Sequence, residues 1–126
     1  MLNRRLPSCA ATVAALMLVA SPAAATTLFT PPVFLPAGWI VWCSVTNLGT
    51  KPLENVLVER VNTFGAASLS GSALSLAPGA TLASGGSAAA GFYHCQAPNL
   101  SRSKAIVTVC VQQTTSTPCS PVAVNR

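Results

Sequence analysis

The chain has 126 residues, of which 51% are hydrophobic and only 7% are charged, and its formal net charge is +5. This length fits one small domain and leaves no room for a second. The few positive charges are scattered along the chain, which argues against a nucleic-acid partner because such a partner requires clustered basic residues.

The first 25 residues have the pattern of a signal peptide. Arg4 and Arg5 form a basic start, residues 10–20 form an apolar run, and residues 23–25 are the small residues of a cleavage site. A membrane span needs about 18 or more apolar residues, and this run is shorter and ends before Pro22. We expect cleavage after residue 25, with residues 26–126 forming a single secreted or periplasmic domain without a transmembrane segment.

Three segments begin the predicted domain. Residues 28–36 are apolar but include three prolines, which cannot donate hydrogen bonds to a sheet, so they are predicted to form an edge strand or an extended arm. Residues 39–47 are rich in aromatic and β-branched residues and form the strongest predicted strand. Residues 55–62 are the next strand, with Val56 and Val58 on one face and Glu59 on the other.

The remaining segments are also predicted to be strands. Residues 65–91 are rich in Ala, Ser and Gly; Pro78 and Gly79 indicate a short hairpin, and residues 85–87 indicate a loop. Strands are further expected in residues 88–95, 104–112 and 120–125, and no window outside the signal shows helical periodicity. The pattern predicts an all-β antiparallel sandwich of about seven strands.

Four cysteines are left after Cys9 is removed with the signal. Cys43, Cys95, Cys110 and Cys119 imply two disulfides in an oxidising compartment, and their spacing leaves three connectivities open. Strand alternation places Cys43 on an apolar face and Cys110 on a wetter one. This alternation favours the pairs Cys43 with Cys95 and Cys110 with Cys119.

Several short motifs resemble those of small exported bacterial proteins with an immunoglobulin-like β-sandwich. The motifs are CSVTNLG at residues 43–49, LAPG at 76–79, YHC at 93–95, VCV at 109–111 and the last cysteine at 119. The resemblance implies export and a disulfide-stapled sandwich, and it assigns no catalytic residue. Trp42 directly precedes Cys43, whereas antibody-type domains carry their core tryptophan on the next strand.

Few residues are available for catalysis. The chain has no aspartate, and its acid-base groups are mainly His94, Glu54 and Glu59, of which the two glutamates should point to opposite faces of one strand. No paired Cys or His spacing of a zinc site is present. We therefore predict a protein that is not an enzyme and has no cofactor or metal.

Binding surfaces are easier to derive from the sequence. Trp39, Trp42, Phe92 and Tyr93 are expected at neighbouring positions on two strands, where they would form one binding surface. Strand alternation forces one of Trp39 and Trp42, and one of Phe92 and Tyr93, away from the core. An exposed ring is suited to an unknown protein partner or an envelope polysaccharide. The alternative is that residues 28–36 partly cover both sheet faces.

The leading functional hypothesis is a noncatalytic binding or structural module of the cell envelope. The second is a secreted inhibitor or competition factor that presents the disulfide-braced loop of residues 113–118. The third is a hydrolase that uses His94 as its base.

The export hypothesis predicts the state of the isolated protein. We expect the mature chain to begin at Thr26 and to contain no free thiol, because translocation removes residues 1–25 and oxidation pairs the four cysteines. Peptide mapping without reductant measures both. A chain that starts at Met1 with free thiols would contradict the hypothesis.

Overall fold

The computed structural model of the protein describes residues 26–113, 119 and 121–124. These residues form nine β-strands and no helix: β1 (Leu28–Phe29), β2 (Val33–Leu35), β3 (Ile40–Asn47), β4 (Leu53–Asn62), β5 (Ala67–Leu76), β6 (Thr81–Ser87), β7 (Gly91–Ala97), β8 (Ala105–Gln112) and β9 (Pro121–Val124). This part of the chain holds no helix with the length and apolarity that a membrane crossing requires. The expected signal peptide, residues 1–25, lies outside the described residues.

The strands form two antiparallel sheets. In the five-stranded sheet, β7 pairs with β1 and β2 on one side and with β4 on the other, and β5 lies beyond β4. The four-stranded sheet has the order β6, β3, β8, β9. The predicted all-β antiparallel architecture is confirmed, with nine strands rather than about seven, partly because residues 28–36 form two short strands. The immunoglobulin-like connectivity stays a prediction.

The core lies between the two sheets and is aliphatic. Val45 and Val107 lie opposite each other in the four-stranded sheet, and both are fully buried. Val56 and Val58 of β4 belong to the same buried cluster, as does Leu35 of β2. The alternation of these strands places one apolar face of each sheet against the other.

One disulfide crosses this core. Cys43 of β3 and Cys95 of β7 are bonded, with Cα atoms 5.5 Å apart, and both residues are buried. The second disulfide joins Cys110 of β8 to Cys119, nine residues later in the chain. These are the two pairs that the alternation of the strands favoured.

The turn at Pro78 and Gly79 does not close a hairpin. β5 pairs with β4 in one sheet, whereas β6 pairs with β3 in the other. Gly79 has a φ of 76°, a conformation that glycine adopts at little cost, so the chain turns sharply from one sheet to the other at this point. The hairpin prediction is wrong because turn residues indicate a reversal of direction and do not indicate which sheet follows.

Residues 85–87 belong to β6 and not to a loop. Gly85 lies opposite Trp42 of β3, and a Cβ atom at Gly85 would lie 2.6 Å from Cδ2 of the indole ring. The ring therefore occupies the space above the glycine, on the outer side of the four-stranded sheet. A glycine inside a strand marks this close approach.

Asn47 holds two turns together at the end of β3. The residue is fully buried; its Nδ2 donates to the carbonyl oxygens of Lys51 and Leu76, both at 2.9 Å, and its Oδ1 accepts from the backbone N–H of Gly49 at 2.9 Å. Its backbone N–H also donates to the carbonyl oxygen of Ala80. One side chain thus fixes both the turn after β3 and the end of β5.

The two disulfides should stabilise the fold to different extents. They close loops with sequence separations of 52 and 9 residues, for which the chain-entropy model gives about 4 and about 2.5 kcal/mol. We expect the double variant Cys43→Ala, Cys95→Ala to lose more free energy of unfolding than Cys110→Ala, Cys119→Ala. Urea unfolding measures both, and the reverse order would contradict the expectation.

Replacement of Asn47 should be costly. Asn47→Leu keeps the approximate volume but leaves two carbonyls and one N–H without their partner, which we expect to lower the free energy of unfolding by about 3 kcal/mol. Thr50→Val, at an exposed position of the same turn, is the control and should change it by less than about 0.5 kcal/mol. Similar urea midpoints for the two variants would show that the Asn47 bonds contribute little.

Candidate functional site

The four aromatic residues expected to form one surface do not come together. Trp42 alternates with buried Cys43 and therefore lies on the outer side of the four-stranded sheet. Phe92 is 52% exposed and lies on the outer side of the five-stranded sheet. Trp39 and Tyr93 pack partly against the core. The expected neighbourhood fails because β3 and β7 belong to opposite sheets.

All four phenylalanines of the chain are exposed to solvent. Phe29, Phe34 and Phe92 are 59%, 53% and 52% exposed, and Phe64 is 93% exposed. The first three project from β1, β2 and β7 on the outer side of the five-stranded sheet, and we call them the phenylalanine face. The phenylalanine rings therefore lie on the surface, and the core is filled mainly by smaller aliphatic side chains.

The phenylalanine face is partly ordered by contacts among its own side chains. Phe34 lies opposite Phe92, and their ring centroids are 5.3 Å apart in an edge-to-face arrangement. Phe29 lies opposite Gln96, whose Nε2 donates to a carboxylate oxygen of Glu59 at 2.6 Å. The phenylalanine face therefore has an aromatic pair at Phe34 and Phe92 and a polar pair beside Phe29, with His94 between them on the outer side of β7.

The alternation of residues 28–36 explains this face. Leu28, Val33 and Leu35 are buried, and Phe29 and Phe34 alternate with them and point outward. The segment is an edge strand pair, as its prolines predicted, and it lies in the plane of the five-stranded sheet. The alternative that it partly covers both sheet faces is therefore wrong. The sequence-based hypotheses did not include Phe29 and Phe34, although the alternation of the segment could have identified both as exposed.

The two glutamates do not form a paired-carboxylate site. Asn55 has a φ of 51°, and at this residue the alternation of inward and outward side chains shifts by one position. Glu54 and Glu59 therefore both face outward instead of pointing to opposite faces. Five residues of strand still separate them by roughly 16 Å, whereas carboxylate pairs in glycosidases lie about 5 to 9.5 Å apart. Glu54 accepts from Ser75 at 3.3 Å, and Glu59 accepts from Gln96.

His94 lies on the outer side of β7, opposite Val61 of β4. Glu59 lies diagonally across from it on the same outer side, but Glu59 accepts from Gln96 and Glu54 accepts from Ser75. Residues 26–113, 119 and 121–124 contain no group of three or more His, Cys, Asp or Glu side chains that could hold a metal ion. The described surroundings of His94 give it neither an orienting carboxylate nor a second metal ligand.

Arg60 is a charged residue on the core-facing side of β4. It follows the alternation of the buried residues Val56 and Val58, and it lies opposite Cys95 of β7. Its guanidinium carbon is 5.7 Å from the centroid of the Tyr93 ring. The sequence shows that Arg60 alternates in step with Val56 and Val58. The catalytic hypotheses drawn from the sequence nevertheless considered His94 and the two glutamates and not Arg60.

Comparison of the chain with protein-family models, curated proteins and solved structures gave no match. The geometry of the described residues therefore carries the functional inference. It offers two features, the phenylalanine face on the outside of the five-stranded sheet and Arg60 between the sheets.

Proposed function

We propose that the protein is an exported, noncatalytic binding module of the periplasm or cell surface that holds a protein partner against its phenylalanine face. The observation that carries the proposal is the exposure of Phe29, Phe34 and Phe92 on one side of one sheet. Export is supported by the signal pattern of residues 1–25 and by two disulfides, which persist in oxidising compartments.

The energetics of burial favour a docking role for this face. Full burial of a phenylalanine side chain stabilises a protein by roughly 1.5–3 kcal/mol. None of the four phenylalanines of this chain is fully buried, so much of this stabilisation is available to a partner. Single exposed apolar residues are common on monomers. Here Phe34 and Phe92 contact each other and Phe29 lies further along the same side of the sheet, opposite Gln96, so the exposed aromatic area exceeds a single ring. Larger exposed apolar areas of this kind mark interaction sites.

The polar border of the face favours a protein over a polysaccharide. A sugar stacked on the rings would need several hydrogen-bonding groups beside them. The Gln96 amide and the Glu59 carboxylate are engaged with each other at 2.6 Å, and the His94 imidazole lies between Phe92 and Gln96. An apolar centre with a satisfied polar rim is the usual anatomy of a protein interface. Aromatic side chains in such a centre often contribute most of the binding free energy.

The noncatalytic part of the proposal is supported by the hydrogen bonding of the two glutamates. Glu54 accepts from Ser75 and Glu59 accepts from Gln96, so neither of these bonds orients His94, although Glu59 lies diagonally across from it. The alternative of an inhibitor that presents residues 113–118 stays a prediction, because residues 114–118 lie outside the described residues.

Substitution on the phenylalanine face should weaken partner binding without unfolding the protein. We expect Phe92→Ser and Phe34→Ser each to weaken binding about tenfold or more, because each removes an aromatic contact from the centre of the interface. Phe64→Ser is the matched control, since Phe64 is 93% exposed but lies outside the face. Thermal melts of all three should stay close to that of the original protein.

The measurement has two stages. The processed protein is used to capture partners from envelope extract, and the dissociation constant of each purified candidate is then determined for the original protein and the three variants. Binding that all three variants reduce equally, or that none reduces, would contradict the proposal. Selective retention of polysaccharide would contradict the protein partner, and formation of dimers through the same rings would replace it by a second copy.

A further inference from the structure

A cleft lies between the two sheets beside Arg60. Its volume is about 330 Å³, and its lining includes Arg60, Asn62 and Tyr93 together with short side chains from β5 and from the connection between β6 and β7. The cleft is distinct from the phenylalanine face because Arg60 and Tyr93 point to the inner side of the five-stranded sheet, whereas Phe92 points to the outer side.

Arg60 has no ionic partner in the described part of the chain. One guanidinium nitrogen donates to the carbonyl oxygen of Gly86 at 3.3 Å, and the group lies over the Tyr93 ring. The carboxylates of Glu54 and Glu59 are engaged on the opposite side of the sheet. The other guanidinium N–H groups therefore have donor capacity for a ligand, and a half-buried cation gains from an anionic partner.

The walls of the cleft are fixed by hydrogen bonds. The Tyr93 hydroxyl donates to the carbonyl oxygen of Ala89 at 2.7 Å. The Oδ1 atom of Asn62 accepts from the backbone N–H groups of Phe64 and Ala66, at 3.0 and 2.9 Å. The turn after β4 and the segment before β7 are thus held in place on either side of Arg60, so a ligand would meet a largely preformed site.

We propose that this cleft binds the carboxylate group of a small aliphatic ligand through Arg60. A planar guanidinium matches a carboxylate in a bidentate arrangement. Arg60 is the only charged residue in the described lining, so a singly charged carboxylate matches it better than a phosphate dianion. Four alanines, Ala66, Ala67, Ala88 and Ala89, leave room for a short aliphatic body.

The C-terminus of a peptide that ends in a small residue carries a carboxylate on a short aliphatic body. A uronic acid carries its carboxylate on a polyhydroxylated ring, which the four alanines of the lining match less well. The proposal therefore concerns a peptide carboxylate, and a uronic acid is the contrasting probe. The proposal also stands apart from the proposed function, because a substitution on the phenylalanine face leaves Arg60 and its lining unchanged.

The test is a titration of the processed protein, followed by NMR of the Arg60 side-chain N–H and the backbone amides. The probes are propionate, glucuronate, dialanine, dialanine amide and inorganic phosphate at neutral pH. We expect saturable shifts around the cleft with the carboxylates and none with the amide. Dialanine should give larger shifts than glucuronate, and a response to glucuronate alone would contradict the proposal.

Variants separate recognition from structural support. Arg60→Gln should weaken carboxylate binding about ten- to a hundredfold, the effect of losing a charge-assisted hydrogen bond, and Arg60→Lys should restore part of it. Arg102→Gln, at an exposed loop position, is the matched control and should bind normally. Ala89→Leu should narrow the cleft and weaken binding while Arg60 stays in place. This variant tests the proposal even if Arg60→Gln fails to fold.

Three further results would overturn the proposal. The first is the absence of saturation with every carboxylate at about 10 mM, since a weaker site would contribute less than roughly 3 kcal/mol. The second is equal binding of dialanine and its amide, or tighter binding of phosphate than of propionate. The third is normal binding by Ala89→Leu, or an equal loss in Arg60→Gln and Arg102→Gln.

Discussion

The bond between Cys43 and Cys95 is the constraint on which the arrangement of this protein depends. It joins a central strand of one sheet to a central strand of the other and fixes which side of each strand faces the core. Once Cys95 points inward, Phe92 must point outward and Tyr93 inward, and Arg60 on the neighbouring strand shares the inward side. The exposed phenylalanine rings and the cleft beside Arg60 both follow from the inward direction of Cys95.

The core explains why aromatic residues are available for the surface. The inward positions are occupied mainly by valine, leucine, alanine and cysteine, and the largest fully buried side chain in the described residues is Leu35. Of the aromatic residues in the described part of the chain, Trp39 and Tyr93 pack against this aliphatic core, and the four phenylalanines do not. The rings lie outside, and the few charges leave serine, threonine and asparagine to keep the remaining surface hydrated.

The sequence predicted the strands well because alternation and turn residues are local signals. Residues 39–47 and 104–112 are strands within one residue of expectation, and the favoured cysteine pairs follow from the same alternation. It did not predict which strands share a sheet, since that depends on distant pairing. For this reason the four aromatic residues were expected together, the turn at Gly79 was expected to close a hairpin, and Arg60 was not recognised as facing inward.

The two edges of the five-stranded sheet are protected to different degrees. One edge carries β1 and β2, where Pro31, Pro32 and Pro36 interrupt the row of backbone donors. The other edge is β5, ten residues without proline or charge, whose pairing with β4 is interrupted near Val58. Edge-to-edge association of molecules at high concentration should therefore start at β5. A lysine introduced into β5 should oppose this association.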